Sequence, residues 1–123
     1  MTRLLVTGSR DWKDVGVLTH WLDDAWHYLT DFVGGEVTLV HGDAHGADRM
    51  AQGVWLNWGL PVEPHPADWR LGRRAGYIRN AEMVSLGADL CVAFIYHRSK
   101  GATMCAGLAE KAGIAVRRYA INY

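Results

Sequence analysis

The sequence has few of the features that mark secreted or membrane-spanning proteins. Only two cysteines occur among its 123 residues. Cys91 lies in an apolar run and Cys105 in a helical pattern, so both fit small core residues in a reducing compartment rather than a disulfide framework. No apolar run approaches the roughly 20 residues that span a bilayer, and no signal peptide is visible. We therefore expect a soluble, cytoplasmic protein that has no membrane partner.

The chain also lacks an excess of charge of either sign. Thirteen basic residues balance thirteen acidic ones, whereas binding to a nucleic-acid backbone requires several cationic contacts. The charges are unevenly distributed, because residues 70–100 carry six Lys or Arg against two acids, and residues 11–36 carry six acids with Lys13 as their one strong base. The overall balance disfavours nucleic acid as a partner.

Known metal-binding and nucleotide-binding spacings are absent too. His41, Asp43, His45 and Asp48 lie close together, but their spacing matches neither a helical zinc motif nor a calcium-binding loop. The Walker spacing and the G-x-G-x-x-G fingerprint are also missing. We expect no metal and no resident cofactor.

What the sequence does have is a regular alternation of short apolar runs and longer helical patterns. The runs predict strands at residues 3–8, 36–42, 60–66, 89–96 and 114–121, and the patterns predict helices at 14–33, 46–58, 71–87 and 101–113. Such alternation is typical of a parallel sheet covered by helices on both faces. We predict one α/β domain over residues 1–123, with three layers and a sheet of five parallel strands in the order 3-2-1-4-5.

Three of the predicted strand ends combine glycine with polar residues, and parallel strands bring such ends to one edge of the sheet. The candidates are Gly8, Ser9 and Arg10 after the first strand; Gly42, Asp43, Gly46 and Asp48 after the second; and Arg98, Ser99, Lys100, Gly101 and Thr103 after the fourth. Glycines allow a ligand to approach the backbone closely. A helix start beside Lys100 and Arg98 offers N–H groups and positive charge to an anion.

Simpler interpretations of these residues stay open. The glycines are equally typical of ordinary turns, and Ser99 of a helix cap. The tryptophans fall into two groups, predicted core residues and candidates for ligand stacking. Trp21, Trp26 and Trp58 follow helical stripes and are predicted core residues, whereas Trp12 and Trp69 fall in loops beside polar clusters, which makes them candidates for stacking on a base.

Four stretches in register, "VTGSRDW", "VHGDAHGADRMA", "HPADWRLGRRAGYIRNAEMV" and "SKGATMCAGLAEKAGI", cover roughly residues 3–118. Together they resemble the SLOG superfamily, and most closely its small YspA-type branch. The resemblance implies a Rossmann-like fold that binds a nucleotide or nucleotide-derived molecule, often as a homodimer. It also implies which residues would form the site: Gly8, Ser9 and Arg10; Gly42, Gly46, Ala47 and Asp48; Arg79 and Asn80; and a phosphate loop of Ser99, Lys100, Gly101 and Thr103.

The chain departs from the superfamily pattern at two positions. The phosphate loop usually reads Gly-Thr where this chain has Gly101 and Ala102, so that Thr103 comes one place late. In the Lonely-Guy phosphoribohydrolases a glutamate follows three positions later, and Cys105 stands there in this chain. A thiol cannot replace a carboxylate that stabilises an oxocarbenium-like sugar, and the hydrolase activity of those relatives is therefore in doubt here.

Three functional hypotheses follow from these observations. The leading one is a module that binds a nucleotide-type small molecule, such as an ADP-ribose-like compound, and acts as a sensor, sequestering protein or regulator. The second is a nucleotide N-glycosidase in which Arg79 lies near the phosphate or sugar, and Asp43 or Asp48 takes the role of the missing glutamate. The third, binding of single-stranded DNA, is disfavoured by the zero net charge.

Overall fold

The computed structural model describes residues 1–97 and 99–121. Its centre is a sheet of five parallel strands in the order β3-β2-β1-β4-β5, which confirms the predicted fold and strand order. The elements are β1 (Thr2–Gly8), α1 (Val15–Phe32), β2 (Val37–His41), α2 (Ala47–Asn57), β3 (Val62–Pro64), a 3-10 helix (Trp69–Arg74), α3 (Ala75–Ser85), β4 (Leu90–Tyr96), α4 (Lys100–Lys111) and β5 (Val116–Ile121).

Helices cover both faces of this sheet because successive strand residues point to opposite sides. On β1, Leu4 and Val6 pack with the apolar residues of α1 and α2. Leu5, between them, packs against Met83 of α3 and Cys105 of α4. Both cysteines of the chain are buried and free, as the sequence predicts. None of the helices in the described part of the chain has the length and apolar character of a membrane span.

Two elements differ most from their predicted bounds, whereas the others agree to within two residues at each end. The helix predicted over 71–87 is interrupted at Gly72, whose φ of 76° lies outside the helical region, so the 3-10 segment is kinked there and α3 begins only at Ala75. The third strand has three residues rather than the predicted seven. Its position at the sheet edge is the one where proline is tolerated, because an outward-facing backbone needs no N–H donor.

Trp12 lies in the core, so the prediction that it is available for stacking on a base is wrong. Its side chain is 2% exposed and its ring centre lies 5.3 Å from that of Phe94. The indole N–H donates to the carbonyl of Asp14 at 2.9 Å. Trp12 therefore closes the core beneath the turn from β1 to α1.

The other tryptophans divide between core and surface. Trp21 and Trp26 pack against the core as predicted, whereas Trp58, also predicted to be core, is 38% exposed at the end of α2. Trp69 is 58% exposed, so it alone of the two stacking candidates is accessible to a ligand.

The start of α2 lies directly against the end of β1. The N–H of Ala47 donates to the carbonyl of Ser9 at 3.2 Å. A Cβ atom on Gly8 would overlap the Ala47 side chain, and one on Gly46 would overlap the carbonyls of Ser9 and Arg10. Gly46 also has a φ of 81°, which L side chains rarely adopt. This backbone approach requires glycine at both positions.

Replacement of Gly46 by alanine is expected to lower the free energy of unfolding by at least about 2 kcal/mol, because it adds both backbone strain and steric overlap. The control is Gly53→Ala on the same helix, where a Cβ meets nothing within 4 Å. That variant should gain up to about 1 kcal/mol from helix propensity. Urea denaturation of both variants measures the difference, and equal midpoints would contradict the close approach at Gly46.

Candidate functional site

A cleft of about 350 Å³ opens at the carboxyl ends of β1 and β4. These two strands are neighbours, although the connections that leave them run to opposite faces of the sheet. The walls of the cleft come from five segments: residues 7–11 at the end of β1, Tyr96 and His97 at the end of β4, the start of α4, Ala44 with Asp48 of α2, and Arg79 with Asn80 of α3. Open α/β sheets usually bind ligands at this topological switch point, and the volume lies within the range of small-molecule sites of roughly 300–1,000 Å³.

The Ser9 side chain joins the two central strands beyond their last ladder pairs. Its hydroxyl oxygen accepts the N–H of Tyr96 at 2.7 Å and lies 3.3 Å from the carbonyl of Tyr96, to which it donates. The backbone N–H of Ser9 donates to the carbonyl of Phe94 at 2.9 Å. Ser9 is 2% exposed, and it therefore fixes the floor of the cleft while its polar atoms are already satisfied.

The first turn of α4 forms one wall of the cleft. Ser99 is the N-cap, but its side chain makes no capping hydrogen bond, so the simple capping interpretation of this serine does not hold. Gly101 and Ala102 line the cleft. The first N–H groups of a helix have no intrahelical acceptors and lie at the positive end of its dipole, which suits an anion.

Two residues that were candidates for binding a phosphate lie beside this wall of the cleft rather than in it. Lys100 and Thr103 are exposed and are not among the residues that line the cleft. They share one side of the first helical turn, because they are three residues apart, and Gly101 and Ala102 occupy the other side. Arg98, the further cation of the predicted cradle, lies outside the described residues.

Arg79 of α3 is held across the end of β2. Its Nη1 donates to the carbonyl of Gly42 and its Nε donates to the side-chain oxygen of Asn80 at 2.7 Å. A Cβ atom on Gly42 would lie 2.6 Å from Nη1, so any side chain there would displace the guanidinium. Asn80 is 5% exposed. These contacts fix a positive charge at the cleft and occupy two of the five guanidinium N–H groups.

Asp48 is a buried carboxyl group in the first turn of α2 and the cleft wall. It is 5% exposed. Its Oδ2 accepts the backbone N–H of Gly42 at 3.0 Å and that of Ala44 at 3.4 Å, whereas its Oδ1 has no hydrogen-bond partner in the described part of the chain. Burial raises the pKa of Asp48 from 3.8 to about 6, although the two N–H groups and the nearby Arg79 charge oppose the shift.

A smaller hollow of about 280 Å³ adjoins the cleft. Arg10, Ala44 and Arg79 line both spaces. The hollow also contains Trp69, whose ring centre lies 5.6 Å from the Arg10 guanidinium carbon, within the range of a cation–π contact. It therefore combines an exposed aromatic face with positive charge.

Gly42 and Asp43 line this hollow rather than the cleft. The Asp43 carboxylate lies 3.4 Å from Arg49 Nε. Its backbone N–H donates to Nδ1 of buried His41 at 3.0 Å, and His41 Nε2 lies 2.7 Å from the side-chain oxygen of Gln52. Since Nδ1 accepts, Nε2 carries the proton of a neutral ring, and burial lowers the pKa of His41 accordingly. His41 thus supports the turn that carries Asp43.

Across residues 1–97 and 99–121, no group of three or more His, Cys, Asp or Glu side chains is placed to hold an ion.

Cys105 lies beneath the cleft rather than in its wall. Its thiol is buried, and burial raises the thiol pKa to about 11, opposed by a hydrogen bond with Thr7. At neutral pH the group is therefore protonated. Cys105 stands where the resemblance implies a glutamate in the Lonely-Guy hydrolases, and it supplies neither a carboxylate nor a thiolate.

The structure brings together most of the predicted site residues. Gly8, Ser9, Arg10, Asp48, Arg79, Asn80, Ser99 and Gly101 line the cleft, and Gly46 lies against the backbone of Ser9 and Arg10. Sequence reasoning missed Thr7, Tyr96 and His97. Thr7 and Tyr96 belong to strands whose apolar pattern hides them, and the one local signal at His97 is its φ of 52°, which cannot be read from the sequence.

Comparison with known proteins gives one family match. The model of the "YspA, cpYpsA-related SLOG family" matches residues 2–72. The chain is also 43% identical over 124 residues to the "Gene 61 protein" of Mycobacterium phage D29, and the alignment covers 94% of each chain. The name of that phage protein states no activity. No solved structure gave a significant match.

The raised pKa of Asp48 predicts how stability depends on pH. The folded state holds the Asp48 proton up to about pH 6, whereas the unfolded chain releases it near pH 3.8. The proton on Asp48 therefore contributes its full share to the free energy of unfolding below the pKa of the unfolded chain. This contribution is lost as the pH rises through the pKa of the folded state. Relative to Asp48→Asn, the wild-type free energy of unfolding should fall by about 3 kcal/mol between about pH 3 and pH 7.

Urea denaturation of the wild type and Asp48→Asn across this range measures the difference. The asparagine keeps an oxygen for the N–H groups of Gly42 and Ala44, and the comparison cancels the titration of all other groups. Parallel stability curves would contradict a buried, proton-binding Asp48.

Proposed function

This chain belongs to the YspA, cpYpsA-related SLOG family, and we propose that it binds a nucleotide or nucleotide-derived ligand in the cleft. Membership of the family indicates a nucleotide-related function, and the ADP-ribose-like class of ligand is our proposal. Its role would be that of a sensor, a sequestering protein or a regulator. The observation that carries the proposal is the start of α4, which has no side-chain cap and faces the cleft with Gly101 and Ala102.

The phosphate end of the ligand would lie against this first turn of α4. Gly101 has no side chain and Ala102 a short one, so an anion can approach the backbone N–H groups closely. Arg10 and Arg79 supply positive charge on the other walls. Lys100 lies at the same turn and its flexible side chain would add a mobile charge from outside the cleft.

The base end would lie in the adjoining hollow against Trp69. Indole faces stack on bases with little regard for base identity, and the ring is exposed. Arg10 and Arg79 line both spaces, so one extended ligand would contact both arginines. A molecule with a phosphate at one end and an aromatic base at the other matches this arrangement.

A second candidate function is cleavage of the N-glycosidic bond of a nucleotide. The observation that favours it is Asp48, whose Oδ1 has no partner among the described residues and whose side chain lines the cleft. Of the two acids considered for the missing glutamate, Asp43 lies in the hollow and pairs with Arg49, which leaves Asp48 as the better placed. We rank this function second because Cys105 removes the carboxylate that the hydrolases use.

We also propose that the protein is a homodimer, as the resemblance to the superfamily implies. Native mass spectrometry of the freshly purified protein tests both the ligand and this oligomeric state. We expect a mass increment that corresponds to a nucleotide-derived molecule, and a particle of two chains. Calorimetric titration with ADP-ribose and AMP then supplies affinities. Absence of an increment together with no binding at millimolar concentrations would overturn the proposal.

Substitutions at Gly101 locate the phosphate. A Cβ atom there meets no protein atom within 4 Å, so Gly101→Ala keeps the fold and serves as the uncharged control, which adds only the bulk of one methyl group at the proposed anion site. Gly101→Asp places a carboxylate at the proposed anion site, and a like charge at close range should weaken binding by at least about 10-fold. The fold should survive because an acidic residue in the first turn stabilises a helix. Equal affinities of the two variants would place the phosphate elsewhere.

Hydrolysis is expected to be negligible. Incubation with a panel of nucleoside monophosphates, followed by chromatography, should show no release of free base above the rate without protein. Turnover at ordinary enzyme rates, of order 1 per second or faster, would promote the second candidate, and Asp48→Asn should then abolish it.

A further inference from the structure

Asp48 has a feature that phosphate binding leaves unexplained. A buried oxygen without a hydrogen-bond partner costs roughly 1–3 kcal/mol, more when it is charged, and native proteins rarely leave one in place. Oδ1 of Asp48 is such an atom. Its carboxyl group lines the cleft, so a bound ligand is the natural source of the missing partner.

The contacts of Asp48 fix what kind of partner Oδ1 can take. Oδ2 is held by the N–H groups of Gly42 and Ala44, which leaves Oδ1 as the oxygen without a partner among the described residues. With a pKa of about 6, the group is mainly ionised at pH 7 and above, and an ionised carboxylate only accepts hydrogen bonds. The ligand atom that meets Oδ1 must therefore carry a hydrogen to donate.

The position of Asp48 indicates which part of a nucleotide this would be. Through Oδ2 the carboxyl group holds Ala44, which lines both the cleft and the hollow. Asp48 thus stands near the boundary between the proposed phosphate and base subsites. In a nucleotide the sugar joins these two groups, and the donors of a ribose are its hydroxyl groups.

We propose that Asp48 selects ribonucleotides over deoxyribonucleotides, because its Oδ1 accepts a hydrogen bond from a ribose hydroxyl of the bound ligand. This inference rests on the proposed function and adds to it a group on the ligand and a residue that recognises it. A deoxy ligand would leave the buried carboxylate oxygen without a partner, and sites with a stranded polar group discriminate strongly against such analogues.

The probes are AMP, 2′-deoxy-AMP and 3′-deoxy-AMP, titrated calorimetrically at about pH 8, where Asp48 is ionised. We expect at least one deoxy probe to bind the wild type about 10-fold to 150-fold more weakly than AMP, the range for a lost hydrogen bond to a charged group. This arm uses no variant, so a folding defect cannot obscure it.

Asp48→Asn provides the second arm. Its amide oxygen must face the N–H groups of Gly42 and Ala44, so its NH₂ group takes the position of Oδ1. An uncharged hydrogen bond is worth less than a charge-assisted one, and the ratio of AMP to deoxy affinity should therefore fall at least about fivefold. Asp23→Asn removes the same charge from an exposed position on α1 and should leave the ratio unchanged.

The outcomes separate this inference from the proposed function. Equal binding of all three probes to the wild type, or an unchanged ratio in Asp48→Asn, would overturn the role of Asp48 and leave nucleotide binding intact. Failure of all three probes to bind the wild type would also overturn it. In that case the native mass measurement decides whether the proposed function falls as well.

Discussion

The rest of the cleft depends on the backbone contact between the end of β1 and the start of α2. One carbonyl, that of Ser9, accepts the N–H of Ala47 and that of Trp12, and thereby ties α2 and the turn into α1 to the same point. Without side chains at Gly8 and Gly46 the two segments approach closely enough for this bond. The approach places the first turn of α2, and with it Asp48, at the switch point between β1 and β4.

The fold could be predicted from the sequence because each strand or helix can be recognised from a short stretch of residues, and the alternation of strands and helices determines the fold. Short connections and right-handed crossovers leave few ways to order five parallel strands. The site was predictable only as far as the strand ends. That Gly101 faces the cleft and Thr103 faces solvent depends on the rotation of α4, which no motif encodes. The burial of Trp12 cannot be predicted from the sequence because its partner, Phe94, lies 82 positions away in the chain and the intervening pattern gives no sign of the contact.

Electrostatics at the site differ from those of the whole chain. The net charge is zero, yet Arg10, Arg79 and the start of α4 meet at one cleft. Asp48 places a carboxylate among them, which would repel an anion bound next to it. The conflict disappears when the two charges belong to different parts of one ligand, with the phosphate at α4 and the neutral sugar at Asp48.

The same reasoning bears on the difference between binding and catalysis in this cleft. Cleavage of an N-glycosidic bond needs charge that stabilises the transition state more than the ground state. Under the proposed ribose contact, Asp48 already stabilises the bound ligand in the ground state, and only the part of that interaction that strengthens in the transition state would lower the barrier. With Cys105 protonated beneath the floor, the position that would need a carboxylate for cleavage supplies no charge, which supports the proposed binding role over the second candidate.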